Sequence, residues 1–133
     1  MSANANFIAT PKTGSINIAT ANLLRDGTGT MGTVLTAPTT GSRIDTVCIT
    51  AQGSTTAGAV RLFIHDGTTT RFLTEVLVPA VTASTTVSPF SVTLSPLQGN
   101  FWLPLVLQSA YSLRASTNNA EAFNVHAVLA GDF

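Results

Sequence analysis

His65 and Asp66, His126, and Cys48 are the first groups in this 133-residue chain to weigh for acid–base or nucleophilic chemistry. His65 and Asp66 are adjacent. On a strand, neighbours point to opposite faces, so the two do not converge as an acid–base pair. His65 reads instead as a strand-end residue beside a turn. His126 falls on the polar face of the last predicted strand, and two histidines of unknown separation make a poor metal site. Cys48 lies in the run Asp45-Thr46-Val47-Cys48-Ile49-Thr50 and reads as a small strand residue. A reactive thiol needs a basic neighbour, and a single cysteine cannot form an intrachain disulfide. The carboxylates Asp26, Asp45, Asp66, Glu75, Glu121 and Asp132 are too dispersed for a glycosidase pair. No G-x-S-x-G is present. No catalytic, cofactor-binding or metal-ligating residue is assigned, and the chain is expected not to be an enzyme.

One literal motif remains. Gly27, Gly29 and Gly32 form a G-x-G-x-x-G. A dinucleotide site would need a helix after it, with its N-terminus on the pyrophosphate. The next residues are Thr33-Val34-Leu35-Thr36-Ala37-Pro38, a β-like run that ends in proline. The motif reads as a glycine-rich loop between strands.

Composition narrows the partners. Net charge is zero and only 9% of residues are charged, against about 25% in ordinary domains. With 44% apolar residues the chain still has a core to bury. Its exterior must be neutral, and threonine supplies it. Such a surface suits a protein among close neighbours rather than one kept monomeric by charge repulsion. Lys12 is the only lysine, and Arg25, Arg43, Arg61, Arg71 and Arg114 are scattered. This gives no basic stripe for nucleic acid and no polybasic membrane anchor. Residues 1–10 lack a signal-peptide pattern, and no apolar run spans a bilayer. Synthesis in a cytoplasm is the expectation.

The elements that position these residues alternate with period two. Ile16 and Ile18 share a face of a first short strand, with Leu23-Leu24 after it, expected to pack beneath the glycine loop. Arg43–Gln52, Ala59–His65 and Arg71–Val78 come next as three strands of a meander or part of a Greek key, joined by Gly- and Thr-rich turns. Val87–Leu94, Phe101–Leu107, Ser109–Ser116 and Phe123–Phe133 complete the set. Thr117-Asn118-Asn119-Ala120-Glu121 reads as the turn of a terminal hairpin. No helix is predicted. The expected fold is all-β: one antiparallel β-sandwich of about eight strands over 15–133, jelly-roll-like, with an immunoglobulin-like sandwich as the alternative. Residues 1–14 read as an extended N-terminal arm whose removal leaves the fold intact but weakens assembly.

The run Phe101-Trp102-Leu103-Pro104-Leu105-Val106-Leu107 is apolar on both strand faces. One face fills the core, and the other calls for a neighbouring subunit. Pro104 lacks a ladder donor and places this strand at an edge or bulge. Phe101 and Trp102 are therefore candidate interface residues; His126 on the last strand, Phe133 and the arm's apolar pair Phe7 and Ile8 are the others. Trp102 or Tyr111 could instead stack on a sugar, as in carbohydrate-binding sandwiches.

The ending Ala110-Tyr111-Ser112-Leu113-Arg114-Ala115-Ser116, then Thr117-Asn118-Asn119-Ala120-Glu121-Ala122-Phe123-Asn124-Val125 and Gly131-Asp132-Phe133, resembles the C-termini of small virion proteins of tailed phages. The resemblance implies a capsid decoration (cement) protein. Such a protein is a jelly-roll subunit, often a homotrimer, that binds the major capsid protein on the capsid surface and stiffens the shell. It also implies an arm lying across neighbouring subunits, with Phe7 and Ile8 as anchors. Two other readings stay open: a sugar-binding sandwich of a phage tail or fibre, and a tail or head-completion subunit.

Overall fold

The computed structural model describes residues 8–133. Nine strands form two antiparallel sheets: β1 (Thr10–Ile18), β2 (Gly32–Thr36), β3 (Ser42–Ala51), β4 (Gly58–His65), β5 (Thr70–Val78), β6 (Ser91–Leu94), β7 (Leu105–Leu107), β8 (Ser112–Thr117) and β9 (Phe123–Asp132). Sheet A runs β1-β9-β3-β6, with β7 also on β3; sheet B runs β2-β8-β4-β5. Strands β6 and β7 pair with successive stretches of β3, Val47–Thr50 and Ser42–Ile44. They act as one interrupted edge strand. With that merger, first pairs with last (β1 with β9), β2 with β8, β3 with β6 and β7, and β4 with β5. This is a long hairpin rolled on itself, the jelly-roll form of the expected β-sandwich.

The core lies between the sheets. Val47, Ile49, Val60, Leu62, Leu113, Val125 and Ala127 are fully buried, with Phe123 at 1% exposure. Period-two alternation places them on the inner faces, as the sequence leads one to expect. In β9 the phase changes at Leu129, which has φ +50. Phe123, Val125 and Ala127 face in before it, and Ala130 after it. The paired strand β3 changes phase opposite, from Ile44 to Val47. The β1–β9 register also shifts there, between Lys12 and Gly14. A residue in left-handed backbone thus bends the sheet and turns its inner face without breaking the β3 ladder.

Several sequence expectations are corrected. The terminal hairpin does not form: β8 belongs to sheet B and β9 to sheet A. The short connection between them steps across the sandwich, so the apolar sides of Leu113 and Val125 face one another instead of lying side by side. The expected three-strand meander is also split, because β3 is in sheet A and only β4 and β5 are neighbours. The Phe101–Leu107 strand shrinks to Leu105–Leu107. Residues 95–104 instead form an excursion from the sheet edge, opened by a 3-10 turn at Pro96–Gln98 and Gly99 at φ +82. Leu103 plugs the core from this excursion at 3% exposure, while Phe101 is 87% exposed. Proline at 104 cannot donate to a ladder, so the strand begins only after it. The boundary expected at residue 14 lies inside β1, since Thr10–Gly14 already pair with β9. Residues 1–7 of the expected arm, Phe7 included, lie outside the described residues.

Candidate functional site

The residues singled out for chemistry take structural positions. Asp66 closes the β4–β5 turn: it accepts from the Thr69 and Thr68 amides at 2.7 and 3.0 Å and from Arg71 Nη1 at 3.0 Å. Those two amides, then Arg71, hold its carboxyl down to about 2. His65 shares a hydrogen bond with the Thr70 hydroxyl at 2.9 Å. The two side chains are thus committed to different turn partners. Among the described residues, no three His, Cys, Asp or Glu side chains gather as a metal site.

The glycine motif forms a strap. Residues 19–31 run from β1 to β2 against the side of sheet B that faces away from the core. Asn22 is their organiser. Its amide nitrogen donates to the Thr28 and Thr30 carbonyls at 3.0 and 2.9 Å, and its side-chain oxygen accepts from the Leu24 amide at 3.0 Å. Gly29, at φ +87, leaves the space that the Asn22 side chain fills. Gly27, also at φ +87, presses on the Thr70 carbonyl, where a Cβ would collide. Beneath the strap, Arg61 is 4% exposed; it donates to Glu75 at 3.0 Å, the Asn22 carbonyl at 3.1 Å and Asn118 at 3.1 Å. Arg25 closes the strap onto Glu75 at 2.9 and 3.1 Å. Leu23 and Leu24, expected beneath the loop, are exposed instead. The loop's own polar groups need the inner positions, so the leucines are turned out.

The outer face of sheet A carries His126 and Cys48 as direct cross-strand neighbours. They sit in a row of Ser15, His126, Cys48 and Thr93, one strand each. A second row holds Asn17, Asn124, Thr50 and Ser91. Side chains link along the rows: Asn17 donates to Asn124 at 2.9 Å, and Cys48 Sγ lies 3.9 Å from the Thr93 hydroxyl. Neither row contains an acidic or basic side chain other than the imidazole of His126. This flat, hydrogen-bonding surface is what sequence reading could not assemble, because Cys48 and His126 come from strands far apart in the chain.

Below these rows the face becomes apolar. Leu129 is 71% exposed, and Val106, on the far side of β3, is 59% exposed; the excursion adds Leu97 at 98% and Phe101 at 87%. On β3 between them, Arg43 binds Asp45 at 2.6 Å. A cleft of about 460 Å3 opens beside Val106, lined by Gly41, Arg43, Pro104, Leu107 and Phe133 among others. Of the six candidate interface residues, Phe101 and Phe133 border this region. His126 is half-buried in the polar rows, and Trp102 is half-buried and packed against the core. Tyr111 packs there likewise. Ile8 sits on Gly131 of its own chain.

The sequence matches no protein-family model and no curated protein. Similar solved structures include two crystal structures of a pentameric capsid protein isolated from metagenomic phage sequences. The first is 18% identical with a TM-score of 0.34, covering 96% of this chain and 66% of that one. The second is also 18% identical with a TM-score of 0.34, covering 94% and 72%.

Proposed function

We propose that this chain is a non-enzymatic structural protein of a phage virion, a capsid decoration protein that assembles as a homo-oligomer, most simply a trimer, on the capsid surface against the major capsid protein. One observation carries the reading. The excursion at the free edge of sheet A holds two large apolar side chains, Leu97 and Phe101, almost wholly in water. Neither fills the core, and a surface with so few charges does not keep neighbours away. The resemblance of the C-terminal stretch to small phage virion proteins supports the major capsid protein as the partner. Burying apolar area at roughly 25 cal/mol per Å2, less the ordering costs, makes each contact modest. Symmetric copies then add through avidity.

The test is co-sedimentation with phage heads stripped of the protein, comparing the natural chain with Leu97→Asp/Phe101→Asp. The natural chain pellets with the heads, and the variant stays in the supernatant with an unchanged melting temperature. A natural chain that fails to pellet, or that is released by added glycans, sinks the reading. Light scattering behind a sizing column gives the oligomer number.

A further inference from the structure

We propose that the outer face of sheet B holds a binding site for a small tetrahedral oxyanion of the phosphate type, built by Arg114, Ser112 and His65. The charge pairing points to it. Among the described residues, Lys12, Arg25, Arg43, Arg61 and Arg71 each have a carboxylate oxygen within 3.2 Å, and Arg114 has none. Arg114 is half-buried, and its Nε is buried without an acceptor. The carboxylate of the neighbouring network, Glu75, is already shared by Arg25 and Arg61. A guanidinium N–H withdrawn from water and left unanswered is costly, and an anion at that spot removes the cost.

The ladder brings further donors to the same patch. Leu113 and Ala115 enter the core from β8, so Ser112 and Arg114 point the other way. Ser112 pairs with His65, and Arg114 pairs with Phe63, two residues before His65. Side chains directly opposed start about 5 Å apart and diagonal ones about 7 Å, so the three converge. Ser112 is 3% exposed, a short hydroxyl at the floor between longer side chains. The His65 Nδ1 is engaged by the Thr70 hydroxyl, which leaves Nε2 as the ring's donor. The flanking partners are Thr33 and Thr36 on β2 and Phe72 and Thr70 on β5. All four are neutral, so no carboxylate competes for the arginine. A guanidinium edge, a hydroxyl and an imidazole N–H approaching from three sides suit the four oxygens of a tetrahedral ion better than the two of a carboxylate.

NMR titration of the full-length 13C,15N-labelled protein tests the site. Inorganic phosphate replaces chloride at constant ionic strength, in mildly acidic buffer that slows guanidinium exchange. The Arg114 Nε–H signal moves and saturates together with the Ser112 amide and His65 ring signals. The exposed Arg71, already bound to Asp66, stays in place. Acetate binds more weakly. Arg114→Lys keeps the charge but loses the fork, and it weakens phosphate binding at least about tenfold, the loss of one charge-assisted hydrogen bond. Ser112→Ala, a smaller change to the fold, weakens it as well. A shift that never saturates, or that Arg71 shares, overturns the site. Acetate binding as tightly as phosphate overturns the tetrahedral assignment, and variants that bind as the natural chain does overturn the assigned residues.

Discussion

Arg61 holds Glu75 at 3.0 Å from a position that is 4% exposed, in the middle of a strand otherwise lined with apolar residues. A buried guanidinium is tolerated because all its partners are fixed: Glu75 on β5, the Asn22 carbonyl of the strap, and Asn118 at the end of β8. The arginine ties three segments distant in sequence and keeps the strap on sheet B.

Removing that guanidinium strands its acceptors. Arg61→Leu is expected to lower stability by about 3 kcal/mol, while Arg25→Ala, at the exposed end of the same network, lowers it far less because solvent screens that pair. Urea unfolding of both variants checks this. Equal losses would show that Arg61 is no more than a surface ion-pair partner.

Asn22 is expected to control the strap separately from the core. Asn22→Asp keeps the shape but replaces the donor to the Thr28 and Thr30 carbonyls with an acceptor. Amide hydrogen exchange over residues 23–31 should accelerate strongly, with the β9 amides little changed. Uniform acceleration along the chain would argue against a separately held strap.

Acid should weaken the fold through its hydrogen-bonded carboxylates. Asp66 is held down to about 2 by the Thr69 and Thr68 amides and Arg71. Glu75 is lowered chiefly by Arg25, and Asp132 chiefly by the Ser42 hydroxyl. A depressed folded-state value means stability that is present above the unfolded value, near about 4, and lost as pH falls toward about 2. Melting temperature should therefore drop between about pH 4 and 2, and Asp66→Asn should differ most from the natural chain at neutral pH. A difference that grows on acidification contradicts the assignment.

Leu129 should be sensitive to shape although it is exposed. At φ +50, a β-branched side chain is more strained than leucine, so Leu129→Val should cost about 1 kcal/mol and Leu129→Asn should not. Thermal melts of the pair decide it, since an ordinary surface site would treat both as neutral.

Truncation should divide at the start of β1. Deleting residues 1–14 removes the pairing of Thr10–Gly14 with β9 and the Lys12 contacts to Asp132 at 3.2 Å and the Thr36 carbonyl at 2.8 Å. A loss of roughly 3 kcal/mol is expected from those edge hydrogen bonds. Deleting residues 1–7 should cost distinctly less, and equal denaturant midpoints for the two truncations would rule this out.

Alternation along the chain determines which residues face inward. Val47 and Ile49, Val60 and Leu62, Leu113, and Phe123 and Val125 were legible because a pleated strand repeats every two residues. The turns at Asp66-Gly67 and Gly99 were legible because glycine accepts positive φ. The same alternation is silent about partners. Leu113 and Val125 look like hairpin neighbours, yet they enter the one core from opposite sheets. Each strand reports only that one face is apolar, and both arrangements bury it. Only the rolled topology decides that Cys48 lies beside His126 and that Arg61 reaches the Asn22 carbonyl and Asn118. It also leaves Phe101 in water while Leu103 enters the core. Those outcomes depend on which backbones share a ladder, and the closing of two sheets around one core sets that, not the local pattern of either strand.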